Sequence, residues 1–487
     1  MSTAGPQRHP VVPTGRGPVR GERRAGGGVR FLGIPYARPP VGELRFAAPV
    51  PPRPWTEVLD ATEYGPTAQR RPFGEVTTIP EPTVPGAGIL NLNVFTPDPT
   101  PAAGLPVLVW IHGGGFVAGS SASPWYDGAA FNRDGVVVVS IGYRLGVEGF
   151  LHLADAPDNR GVRDWIAALG WVRDNIASFG GDPAKVTVAG QSAGGGAVQT
   201  LLATPAARGL FRAAISVSGA VMRPQDRATA EAVSRVFTAR TGVPATAAAL
   251  RDATDTELLA LQDALDSAGP DPDGLPALPL APFADGELVP VPVPEAIVDA
   301  DVPLLLGFTA HEFAVPAGED APAAGDAPEG ELLGLLHALG LDDGSRAARF
   351  LAERPAASGG DAITDWLFRA PALAIAEARA ERQRPTWLYQ FDWSGAAPGR
   401  IGQAYHCIDL PFAFDLLHAE GVEAALGAHP PQPLADAVHG AWVAFVRDLD
   451  PGAAWPPYQE GRATMRWHTE PRVERDPLRA VREIWLG

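Results

Sequence analysis

Six short apolar runs constrain this chain more than any other feature. They lie at 107–111, 136–141, 186–189, 213–217, 302–306 and 387–391, each bounded by turn-forming residues. Runs of this length are too short for a buried helix and too continuous for strands with one wet face. They predict a mostly parallel central sheet with helices on both faces. Between the second and third runs, Val162, Trp165, Ile166, Leu169, Val172 and Ile176 recur at helical spacing. That stripe predicts a helix over 161–179, stopped by Gly180, Gly181 and Pro183. Strand, helix, strand in this order implies a right-handed crossover and an α/β fold. Alanine-rich stretches predict helices over 228–241 and 246–265, and the low-complexity stretch 316–330 predicts a surface loop. We therefore expect a flexible tail over 1–27 and one α/β domain over 28–487, with lid-like insertions around 222–300 and 313–380.

Charge narrows the partners. Across 487 residues, 39 Lys and Arg face 56 Asp and Glu, a net charge of −17. Such a surface repels phosphate backbones and anionic membrane faces, so neither nucleic acid nor membrane is an expected partner. Cys407 is the only cysteine, so an internal disulfide or a multi-cysteine metal site cannot form. The first 28 residues lack the apolar core of a secretory signal, and no run of 18 apolar residues follows. A cytoplasmic protein, monomeric or homodimeric, is the expectation.

The chemistry is carried by 190–194, G-Q-S-A-G, a G-x-S-x-G set between a predicted strand and a helix reaching about Ala203. In that context the glycines permit a sharp turn that lifts the serine hydroxyl above the sheet. The pattern alone is weak, with about 0.2 chance matches expected in such a chain. Context decides. The sequence H-G-G-G-F at 112–116 directly follows the strand at 107–111. Three consecutive glycines suit a backbone whose N–H groups approach an oxyanion, although a plain glycine-rich turn reads the same in isolation.

A serine nucleophile needs a base, and the base needs an orienting acid. In the order Ser, acid, His, the late His406 is the natural base and Glu312, beyond the run at 302–306, the natural acid. Asp409 is the rival acid but follows the histidine. His311-Glu312 is not an H-E-x-x-H motif, and no Walker loop or G-x-G-x-x-G follows a strand, so neither metal nor cofactor is expected. Phe116, Phe308, Phe313, Phe412 and Phe414 flank these residues, with core packing the first role and pocket lining the second.

Further stretches make the chain recognisable. They are F-L-G-I-P-Y-A-R-P-P at 31–40, L-N-L-N-V-F at 90–95, Y-R-L-G at 143–146 and N-I-A-S-F-G-G-D-P at 175–183. H-C-I-D-L-P-F at 406–412 completes the set. The chain resembles the type-B carboxylesterase family, which includes cholinesterases and bacterial para-nitrobenzyl esterases, over about 28–485. The resemblance implies the α/β-hydrolase fold, with Ser192 as nucleophile, Glu312 as acid and His406 as base. It also implies an oxyanion hole from the N–H groups of Gly114, Gly115 and Ala193, and a buried serine near the triad at Ser218. The family usually has glutamate before the nucleophile; here Gln191 leaves that charge out. Ile89 stands where the family has the first cysteine of an early disulfide. The implied activity is hydrolysis of small to medium apolar or aromatic esters through an acyl-enzyme. A carbamate or amide hydrolase with the same triad and a non-catalytic binding homologue are the alternatives, the second disfavoured by the intact set.

Overall fold

The apolar runs form the middle of an eleven-stranded sheet. The computed structural model describes residues 9–72, 77–219, 225–266, 271–313, 329–341, 344–355 and 357–487. Its strands are β1 (Val11–Pro13), β2 (Pro18–Arg20), β3 (Glu22–Arg23), β4 (Val29–Pro35), β5 (Leu59–Asp60), β6 (Asn91–Thr96) and β7 (Leu105–Ile111). They continue with β8 (Val137–Ile141), β9 (Gly181–Gln191), β10 (Ala213–Val217), β11 (Leu304–Thr309), β12 (Thr386–Phe391), β13 (Ala463–Trp467) and β14 (Arg472–Arg475). The large sheet runs β14-β13-β12-β11-β10-β9-β7-β8-β6-β4-β3, and β1-β2-β5 form a small second sheet. From β13 through β8 every neighbour is parallel; the flanks β14, β6, β4 and β3 pair antiparallel.

Burial on both faces explains the continuous apolar runs. Along β7, Val107, Val109 and Ile111 enter one core, while Leu108 and Trp110 enter the other. On the first face lies the helix Arg160–Asn175, with Val162, Trp165, Leu169 and Val172 inward as its spacing predicts. The helix Gln432–Asp448 covers the second face with Leu434, Val438, Trp442 and Phe445.

Two expectations need correction, and a third is left largely untouched. The segment 1–27 is not all tail: residues 1–8 lie outside the described residues, but β1, β2 and β3 follow, with Val12 and Val19 buried. Isolated valines among Pro, Gly and Arg give no periodic signal, yet each is enough to seat a three-residue strand. The helix expected over 246–265 is two, Ala247–Leu250 and Asp255–Gln262. Thr254 divides them, because its hydroxyl and the Glu257 carboxylate form a reciprocal capping box that starts a new helix. Most of the loop expected over 316–330 lies outside the described residues, and the helix Glu329–Ala338 begins at its end.

All the sequence-selected polar residues follow the carboxyl ends of parallel strands. Ile111 of β7 pairs with Gly190 of β9, Gln191 with Val217 of β10, and Val217 with Gly307 of β11. Thr309 pairs with Phe391 of β12. The loops after these strands therefore open on one edge of the sheet, where α/β sheets place their ligands.

Candidate active site

A single residue joins β9 to the helix Ala193–Ala203. That residue, Ser192, has φ 57° and ψ −124°, a sparsely populated conformation that persists only where its surroundings enforce it. Its N–H donates to the Val217 carbonyl at 2.9 Å, and its carbonyl accepts from Gly196 N–H at 2.9 Å. Sterics complete the elbow. A Cβ on Gly194 would overlap the Ile111 carbonyl, so only glycine lets the helix start this close to β7. The glycine loop after β7 lies against the same serine: a Cβ on Gly113 would stand 3.0 Å from Ser192 Cβ. The N–H groups of Gly114, Gly115 and Ala193 donate to no described residue. The last of these sits at the electropositive start of its helix.

Glu312 and His406 meet from neighbouring loops. The carboxylate of Glu312 is fully enclosed, and its Oε2 accepts a short hydrogen bond from His406 Nδ1. Its other oxygen accepts from Ser218 Oγ at 2.6 Å and Thr309 N–H at 2.7 Å. Three donors thus hold one carboxylate, the buried Ser218 among them. Asp409 does not compete. It accepts from Tyr389 Oη at 2.8 Å, and its other oxygen has no partner among the described residues.

Since Nδ1–H faces Glu312, the neutral ring's Nε2 is an acceptor. The Gln191 amide nitrogen lies 3.1 Å from it, and Ser192 Oγ makes no hydrogen bond among the described residues. Burial works against charge on His406, and Cys407 and Glu312 work for it, through charge and hydrogen bonding. The net effect holds its proton well above the usual imidazole range. Because burial also pushes the Cys407 thiol up, Glu312 is the partner that counts at neutral pH.

The model described as Carboxylesterase family matches residues 8–330 and 349–485. The chain belongs to the carboxylesterase family. It is 37% identical to the para-nitrobenzyl esterase of Bacillus subtilis, over 96% of this chain and 97% of that one. It is 33% identical to the liver carboxylesterase of Sus scrofa, over 93% and 88% of the two chains. A solved PNB esterase superposes with a TM-score of 0.85 at 35% identity, covering 98% of this chain and 99% of the other. The fold is that of the α/β hydrolases, and the protein is a carboxylic-ester hydrolase.

Within this carboxylesterase, three of the aromatic residues sit deeper than a pocket wall. Phe116, Phe308 and Phe412 are fully buried in the two cores, Phe116 against Phe150 and Trp165, and Phe412 against Phe391 and Trp393. The rings that do touch His406 are Phe313 and Phe368, each with its centroid 5.3 Å away. Phe313 keeps 38% of its surface exposed. Phe368 carries no motif, and only the folded chain brings it there. His311, considered in the sequence only as half of a metal motif, accepts a hydrogen bond from Ala404 N–H at 3.0 Å. Among the described residues no cluster of His, Cys, Asp and Glu could hold a metal ion. No helix there is long and apolar enough to cross a membrane.

Proposed function

We propose that the ester is cleaved by Ser192, with His406 as general base and Glu312 as the acid that orients it. The observation carrying this reading is the enclosed Glu312 carboxylate bonded to His406 Nδ1, which makes Nε2 the ring's proton acceptor. Nε2 leaves the Gln191 amide, removes the Ser192 proton, and Oγ attacks the ester carbonyl carbon. The tetrahedral oxyanion is met by the N–H groups of Gly114, Gly115 and Ala193, which donate to no described residue. His406 then protonates the departing alkoxide as the carbon–oxygen bond breaks. Water attacks the acyl-serine with His406 again as base, releasing the acid and restoring Ser192. The substrates are small to medium apolar or aromatic esters, and the name of the Bacillus relative makes para-nitrobenzyl esters the first to try. The lone Cys407, with no partner for a disulfide, suits a reducing cytoplasmic setting.

A fluorophosphonate probe tests the assignment directly. Phosphonylation should abolish turnover, and mass spectrometry should place the adduct on the peptide containing Ser192. Ser192→Ala should block labelling and cut kcat by roughly 10⁴ to 10⁶. Labelling elsewhere, or a Ser192→Ala enzyme with near-native turnover, would overturn it.

A further inference from the structure

The acid and the base sit on two loops far apart in sequence, and hydrogen bonds fasten those loops together. His406 N–H donates to the Glu312 carbonyl at 3.1 Å, and His311 N–H donates to the Ala404 carbonyl at 2.8 Å. The remaining link is unusual. Ala404 N–H donates to His311 Nδ1 at 3.0 Å, so His311 satisfies both main-chain polar groups of one fully buried residue. Ala404 lies two residues before His406. The turn around it is tight, with Gly402 at φ 77° and Cys407 at φ 76°.

We propose that His311 is a positioning residue, whose neutral imidazole clamps Ala404 and so holds the His406 loop in register with Glu312. The inference rests on the reading of His406 as base. Nδ1 can accept from an N–H only while it carries no proton, so the clamp exists only with the neutral ring protonated at Nε2. The surroundings favour that form. Burial lowers the His311 pKa, and Arg369 and Arg354 lower it further against the opposing pull of Asp361 and Asp392. Loss of the acceptor leaves a buried N–H unpaired, a fault the loop can relieve only by moving. A shift of about 1 Å at His406 is enough to cost roughly 100-fold in rate.

Two substitutions separate the acceptor from mere bulk. His311→Leu removes it; His311→Asn keeps an oxygen close to the position of Nδ1 and cannot titrate. Hydrogen exchange of the peptide containing Ala404 reads the clamp itself, and steady-state kinetics read its consequence. His311→Leu should lose amide protection there and lose roughly 10- to 100-fold in kcat with KM changed less than about threefold. His311→Asn should restore both. Should His311→Leu fail to fold, His311→Asn decides through the pH profile. The wild-type acid limb should steepen from slope one to slope two as His311 takes its proton, and the asparagine variant should stay at slope one. Equal kcat in all three proteins, or an asparagine variant as impaired as leucine, overturns the proposal. His406→Ala, run in parallel, keeps the two readings apart: if it retains turnover while Ala404 protection still tracks His311, the base assignment fails and the clamp stands.

Discussion

The elbow and the acid–base loops occupy the same edge of the sheet but are held by different physics. Ser192 is fixed by contact: Gly194 lies against the Ile111 carbonyl and Gly113 against Ser192 itself, with no room for a methyl group. Glu312 and His406 are fixed by hydrogen bonds: the Glu312 carboxylate accepts from Ser218, Thr309 and His406, and the His406 N–H donates to the Glu312 carbonyl. A steric site tolerates almost no substitution and is indifferent to pH. A hydrogen-bonded one responds by degrees and changes with every proton. On the proposed mechanism the nucleophile stays put, and its partners exchange charge.

Short of removing the nucleophile itself, the largest expected effect comes from reversing one donor in the second region. In Glu312→Gln the amide oxygen can still accept from Ser218 and Thr309, which leaves the NH₂ facing His406 Nδ1. That forces the proton onto Nε2, the atom proposed to accept from Ser192. The expected loss in kcat is about 10⁴, the size seen when an orienting carboxylate is neutralised this way elsewhere. The pH profile sharpens the point. On the proposed mechanism turnover needs neutral His406, whose proton is held above the usual 6.5, so the wild-type acid limb should fall away above that value. Without the carboxylate the limb should move to lower pH. A limb that stays fixed in Glu312→Gln would show that Glu312 does not govern the histidine.

The first region should break differently. Gly194→Ala inserts a methyl into backbone, and neither the helix start nor β7 can yield without moving Ser192. We expect roughly 100-fold lower kcat together with a lower thermal midpoint, and no change in the position of the acid limb. Stopped assays across pH and a melting curve check this. A pH-shifted limb here would mean that the two regions are not mechanically separate.

The sequence made the first region far more legible than the second. β7, β8, β10 and β12 were located within about two residues, because strands buried on both faces read as unbroken apolar runs. β6 escaped, since Asn91 and Asn93 interrupt it. Both are buried and bonded, Asn91 to the Pro66 and Gly88 carbonyls and Asn93 to Ser140 Oγ and the Ser121 carbonyl. Ser192 and its glycines are neighbours in sequence, so a local motif captures them. His311 and Ala404 lie 93 residues apart, and a ring bonded to a backbone amide has no pattern to search for. Steric devices are written locally; hydrogen-bonded ones are completed by the fold.

Asp409 provides the smallest effect and the closest control. It is as buried as Glu312, lies near it and was the rival acid, yet it bonds to Tyr389 rather than to His406. Burial, and then the charge of Glu312, raise its pKa from 3.8 to about 7. The sign follows from proton counting. Between those values the folded chain holds a proton that the unfolded chain has released, so stability falls as pH rises from 3.8 to about 7 and then levels off. Asparagine is neutral at every pH, and its oxygen can still accept from Tyr389. Asp409→Asn should therefore gain on the wild type as pH rises, its advantage in melting temperature being larger by roughly 1–4 °C at pH 8 than near pH 5, with kcat within about twofold throughout. Melting curves at the two pH values and one kinetic measurement suffice. If kcat instead fell tenfold or more, Asp409 would join the groups that serve His406. The division between a Glu312 that orients the base and an Asp409 that only fills the core would then have to be redrawn.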